Sequence, residues 1–154
     1  MGLEIEVFVR PFEIGRRQKE NIKRLEALED DGQIDNLKKS VWTSRIDTEV
    51  NNPVVRRFNE FKGWAENNGK TLNPYFDLRC IHSTFTDERR EVLILPCMAV
   101  AVYSKGVLKG VFPCSDANNN YSIDRFVSVL ESEKNTIGDA VEPSSSDDPT
   151  LLMV

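Results

Sequence analysis

One run constrains the fold more than any other part of this chain. Leu93-Ile94-Leu95-Pro96-Cys97-Met98-Ala99-Val100-Ala101-Val102-Tyr103 is almost unbroken apolar sequence, followed by Ser104-Lys105-Gly106 and then Val107 to Phe112. An apolar run with no polar alternation reads as a strand covered on both faces. The spacing predicts that strand over Val92–Tyr103. Gly106 supplies the positive φ of a tight hairpin, which returns the chain along Val107–Phe112. Such a pair needs a sheet to sit in, and 154 residues at 40% hydrophobic content suffice for one domain with a core.

The rest of the sheet lies upstream. Leu3, Ile5, Val7 and Val9 alternate with Glu4, Glu6, Phe8 and Arg10, the period-2 pattern of a half-buried strand stopped by Pro11. Ile14, Ile22, Leu25 and Leu28 share one helical face between about Glu13 and Asp31, and Gly32 provides the stop. A second strand is expected over Ile34–Arg45. Asn52-Pro53 is a helix start, and Val54, Phe58, Phe61 and Ala65 recur at helical spacing until Gly69. Trp42, Phe58, Phe61 and Trp64 are core candidates. Tyr75–Phe85 reads as extended, Thr86–Arg90 as a charged turn, and Ser122 as the cap of a last helix carrying Phe126, Val129 and Leu130. The order is β-α-β-α-(β)-β-β-α, an α+β domain over residues 3–132 with a mixed central sheet flanked by helices.

From Glu133 onward there are five acids and one base, Lys134, with Pro143-Ser144-Ser145-Ser146-Asp147-Asp148-Pro149 among them. That composition predicts a disordered acidic tail over 133–154. The net charge of -5 is therefore mostly tail, and the folded part is nearly neutral. The opening residues Met1–Glu6 lack the basic and apolar regions of a secretory signal, and no apolar stretch is long enough to span a bilayer. Three cysteines in such a chain read as reduced thiols in a cytoplasmic protein.

Two resemblances follow. The order of elements, with Pro96 leading the late strand, Gly106 and Gly110 in the hairpin and a closing helix at Ser122, resembles the thioredoxin and glutaredoxin fold. Val7-Phe8-Val9-Arg10-Pro11 is similar to the glutaredoxin strand that leads into its active-site helix. Redox members carry Cys-x-x-Cys at that junction, where the helix N-terminus lowers a thiol pKa. Here the junction reads Phe12-Glu13-Ile14-Gly15-Arg16, so the resemblance implies a thioredoxin-like module without the dithiol mechanism. The stretch from Leu93 to the last helix, including Pro113-x-Ser115-Asp116, also resembles small haloarchaeal proteins of unknown biochemistry labelled as helix-turn-helix-domain proteins. That label implies a DNA-binding transcriptional role.

Three functional readings result. The first is a non-catalytic binding or regulatory module for a protein partner, with Phe12, Glu13, Gly15, Arg16, Pro96 and Cys97 as the candidate binding corner. The second is a DNA-binding regulator, with Arg16, Arg17, Lys23, Arg56 and Arg57 as phosphate contacts. Lys19 and Arg24 share that first helical face, and pairing with the interleaved acids is its ordinary explanation. The third is a single-cysteine redox sensor at Cys97 or Cys114, with Cys114 expected to be the more accessible thiol. Cys80, His82, Cys97 and Cys114 are zinc-ligand types without the short Cys pairs of familiar sites, so neither metal nor cofactor is expected. No glycine-rich phosphate loop or nucleophile elbow is present, and the chain is expected not to be an enzyme. The apolar end Leu151-Leu152-Met153-Val154 reads as unselected sequence or a docking motif.

Overall fold

The computed structural model describes residues 2–49 and 51–139. The predicted acidic tail beyond residue 139, with its apolar end, lies outside the described residues. In chain order the elements are β1 (Leu3–Val9), α1 (Arg16–Asp30), β2 (Asn36–Val41), β3 (Arg45–Asp47), α2 (Pro53–Asn67), β4 (Asp77–His82), β5 (Arg89–Ile94), β6 (Met98–Ser104), β7 (Val107–Phe112), β8 (Cys114–Ser115), β9 (Asn120–Tyr121) and α3 (Ile123–Asp139). The class is α+β, as the pattern predicted. No helix among the described residues is long and apolar enough to cross a membrane.

The main sheet has the order β2-β1-β6-β7. β1 runs parallel to β2, with Ile5 beside Leu37, and antiparallel to β6, with Val7 beside Val100. β6 and β7 form the expected hairpin. Lys105 and Gly106 both take positive φ, 54° and 79°, the signature of a two-residue type I′ turn. A second sheet of order β3-β5-β4 and a short β8-β9 ribbon complete the fold.

Two expected strands are each divided between the sheets. The predicted strand Val92–Tyr103 breaks at Leu95-Pro96-Cys97 into β5 and β6. Pro96 has no N–H to give a ladder, and its neighbours bond elsewhere: Leu95 N–H donates to Ser44 O at 2.9 Å, and Cys97 O accepts from Arg10 N at 3.0 Å. The predicted strand Ile34–Arg45 divides likewise into β2 and β3. Between them Trp42 is buried, its backbone N–H on Val9 O and its indole N–H on Pro96 O at 3.0 Å.

Local signals set most element ends. Asn52 Oδ1 accepts from Val54 N at 2.8 Å, the cap expected before Pro53. Ser122 Oγ accepts from Arg125 N at 3.1 Å at the start of α3, which runs on past Ser132 to Asp139. α1 begins at Arg16 rather than Glu13, because Glu13 N–H closes a turn on Arg10 O and Gly15 takes the cap position. The charged turn ends at Glu88, so Arg89 and Arg90 belong to β5.

The core lies on both faces of the main sheet. Lys39, beside Val7, reaches Glu26 of α1, whereas Lys38, beside Glu6, shares that carboxylate with Arg57 of α2. Directly paired residues share a face, so α1 and α2 cover opposite faces. α3 joins α1, stacking Phe126 on Phe112 with centroids 4.5 Å apart. On the α2 side Phe8, Trp42, Phe58, Phe61 and Phe76 form an aromatic cluster, led by a stacked Phe8–Trp42 pair at 4.8 Å. Of the four aromatic core candidates, all are buried. β1 is consequently covered on both faces, not one, and Glu6 is buried with it.

Candidate functional site

The residues of the predicted binding corner lie on the turn between β1 and α1 and on the crossing from β5 to β6. Arg10 bonds through its backbone to Cys97, its guanidinium donates to Leu95 O, and its Nη1 lies 2.9 Å from Glu13 Oε1. Gly15 N–H donates to Gln18 Oε1 at 2.9 Å, and the same amide's Nε2 donates to Cys97 Sγ at 3.6 Å. Thus Arg10 and Gln18 tie the turn that carries Phe12, Glu13 and Gly15 to Leu95 and Cys97, while Phe12, Glu13 and Arg16 themselves face solvent. Phe12 is 99% exposed and Cys97 is half-buried.

The basic face of α1 separates into two groups. Arg24 is committed to α3: it reaches Glu131 at 2.6 Å, Asp124 at 3.3 Å and Ser128 at 3.1 Å. The Glu131 hydrogen bond chiefly raises its pKa further. Arg17 lies 3.7 Å from Asp124. Arg16, Lys19 and Lys23 face solvent with no side-chain partner among the described residues. Their i, i+3, i+7 spacing sets three cations along one outer stripe of the helix.

Arg56 and Arg57 do not extend that stripe, because α2 lies across the sheet from α1. Arg57 is also engaged internally. Its Nη2 sits 2.5 Å from Glu6 Oε1 and 2.8 Å from the Tyr103 hydroxyl, and its guanidinium lies 5.2 Å from the Phe8 ring centroid. Ser40 donates to Glu6 Oε2 at 2.8 Å, and Tyr103 donates to Glu60 at 3.1 Å. Burial pushes the Tyr103 phenol up to about 12. This cluster borders an open cleft of about 420 Å³ lined by Glu4, Asn36 and Lys38 among others. Sequence reasoning missed Glu6, whose place in an alternating strand reads as solvent-facing. The remaining signal was the apolar surface of α2, which had to cover some face of the sheet.

The cysteines stay apart. Cys80 is exposed on β4, Cys97 lies between β5 and β6, and Cys114 is buried, against the expectation that it is the accessible thiol. Burial pushes Cys114 up to about 12. Nearby, Lys70 is buried with its Nζ 3.2 Å from Asp116 and 4.9 Å from the Tyr121 ring centroid. Asp116 accepts from Asn118 N, Tyr121 and Asn119 N, and these bonds, the Asn118 one foremost, hold its carboxyl well below the usual range. Among the described residues no three His, Cys, Asp or Glu side chains gather as a metal site would require.

No curated protein and no solved structure matches this chain. A family model described as a helix-turn-helix domain matches residues 2–135, nearly the whole described part. The chain therefore belongs to that helix-turn-helix domain family.

Proposed function

We propose that this protein is a DNA-binding regulator that engages duplex phosphates through the outer stripe of α1, by binding rather than catalysis. Family membership supports the class of partner. The observation that carries the placement is the unpaired stripe Arg16, Lys19 and Lys23. Membership in the family leaves open which element makes the contact. A helix-turn-helix joins two helices by a turn of a few residues, whereas β2 and β3 separate α1 from α2 and six strands separate α2 from α3. The net charge of -5 opposes approach to nucleic acid. Screening limits that field to about 10 Å at ordinary salt, so a stripe of free cations acts locally.

The test is the salt dependence of affinity for a mixed-sequence duplex. Each phosphate neutralised contributes about 0.9 to the logarithmic salt slope. Replacing Arg16, Lys19 and Lys23 together by Ala is expected to cut the slope by roughly 2 to 3 and abolish retardation. Unchanged slope and affinity in that variant would sink the placement. Absence of binding by the natural chain at low salt would sink the reading itself.

A second reading, a protein-binding module at the junction of β1 and α1, rests on the exposed Phe12 beside the turn that Gln18 ties to Cys97. It is distinguished by Phe12→Ala, which is expected to leave DNA affinity unchanged and to weaken capture of a protein partner.

A further inference from the structure

We propose that the cleft between α2 and the segment that follows it binds an aromatic amino acid. Its volume is about 300 Å³, at the small end for ligand sites, which suits a single ring rather than a nucleotide. The floor is apolar. Phe58 and Ala65 of α2 line it together with Leu72 and Phe76, and all four are buried. The Phe58 and Phe76 rings lie with centroids 5.8 Å apart and planes tilted by 31°. A third ring entering the cleft extends an aromatic pair already formed.

The rim carries both signs of charge. Lys62 and Glu66 are exposed, one helical turn apart on the face of α2 that lines the cleft. Neither has a hydrogen-bond or ion-pair partner among the described residues. A pair at this spacing is favoured when Glu precedes Lys, and here the order is reversed. The other rim charges are engaged: Asp77 holds Arg79 at 2.8 Å, and Lys70 holds Asp116 at 3.2 Å. The side-chain amide of Asn73, also at the rim, has no partner among the described residues. In the cleft beside Glu6, by contrast, Lys38, Arg57 and Tyr103 are already held by carboxylates of the chain.

The chemistry of the occupant follows. A free cation and a free anion with Cβ atoms about 6 Å apart answer a ligand that carries a carboxylate and an ammonium on one carbon. Lys62 takes the carboxylate and Glu66 the ammonium, Asn73 adds a hydrogen bond, and the ligand's ring rests on Phe58 and Phe76. A phosphate would meet one ammonium beside a repelling carboxylate. A wholly apolar ligand would strip water from the rim without replacing it. Because α2 lies across the main sheet from α1, this site is separate from the phosphate stripe and is tested without DNA.

Titration calorimetry of the full chain at neutral pH, with L-phenylalanine as the probe, makes the test. Binding is expected at millimolar concentration. Hydrocinnamate, which lacks the ammonium, and phenethylamine, which lacks the carboxylate, should each bind several-fold more weakly, and L-alanine should give no heat. Lys62→Gln should weaken L-phenylalanine several-fold without weakening phenethylamine. Glu66→Gln should weaken it likewise without weakening hydrocinnamate. Both positions are exposed, so neither change disturbs the fold. No binding of L-phenylalanine, equal binding of L-alanine, or an affinity for L-phenylalanine indifferent to either substitution would each overturn the proposal.

Discussion

At Glu6 a carboxylate lies among side chains with only 8% of its surface in water. Arg57, Lys38 and Ser40 are its partners, and the Arg57 guanidinium is itself laid over Phe8 and Phe61. A buried pair of this kind adds little relative to an apolar replacement, yet removing one member leaves the other without compensation. Arg57→Met is expected to destabilise the fold by about 3 kcal/mol, seen as a lower urea midpoint at unchanged slope. Glu6→Gln combined with Arg57→Met should cost less than the two single changes summed. Additivity would show that the pair is not coupled. Alternation in β1 marks which residues share a face, but nothing within Leu3–Val9 says that a helix will cover the face bearing Glu6.

At the scale of elements, turn chemistry was legible because it is local. The Lys105-Gly106 reversal, the Asn52 cap and the Ser122 cap are written in two or three adjacent residues each. Gly106→Ala, at φ 79°, should lower stability by about 1 kcal/mol, and Lys105→Asn should raise it. Thermal melts of both variants check this, and equal melting temperatures would exclude strain in the turn. Strand partition was not legible. Pro96 marks a break within Leu93–Tyr103, but the distant bonds with Arg10, Trp42 and Ser44 decide that its halves enter different sheets. The turn before α1 and the break at Pro96 were legible, since each is marked by its own residues. Cys114 shows the reverse: following a proline at a strand end it reads as accessible, while Thr71 bridging to Ser115 and the β8-β9 ribbon bury it.

The whole molecule sets its two basic clusters on opposite sides of one sheet. A continuous binding surface from Arg16 to Arg57 is therefore geometrically excluded, which neither helix discloses alone. Arg56→Glu on α2 is expected to leave duplex affinity within about twofold, since charges more than about 10 Å apart are largely screened at ordinary salt. A loss comparable to that of the α1 variant would place the contact on α2. The paired crossings at Trp42–Ser44 and Leu95–Cys97 have a further effect. They bind each other through Leu95 and Ser44, and through Trp42 and Pro96, so the chain passes between the sheets twice along one seam. Peeling β3-β5-β4 away would strain the Leu95–Ser44 and Trp42–Pro96 bonds together. The two sheets are consequently expected to melt as one cooperative unit, seen as a single calorimetric transition with equal calorimetric and van't Hoff enthalpies.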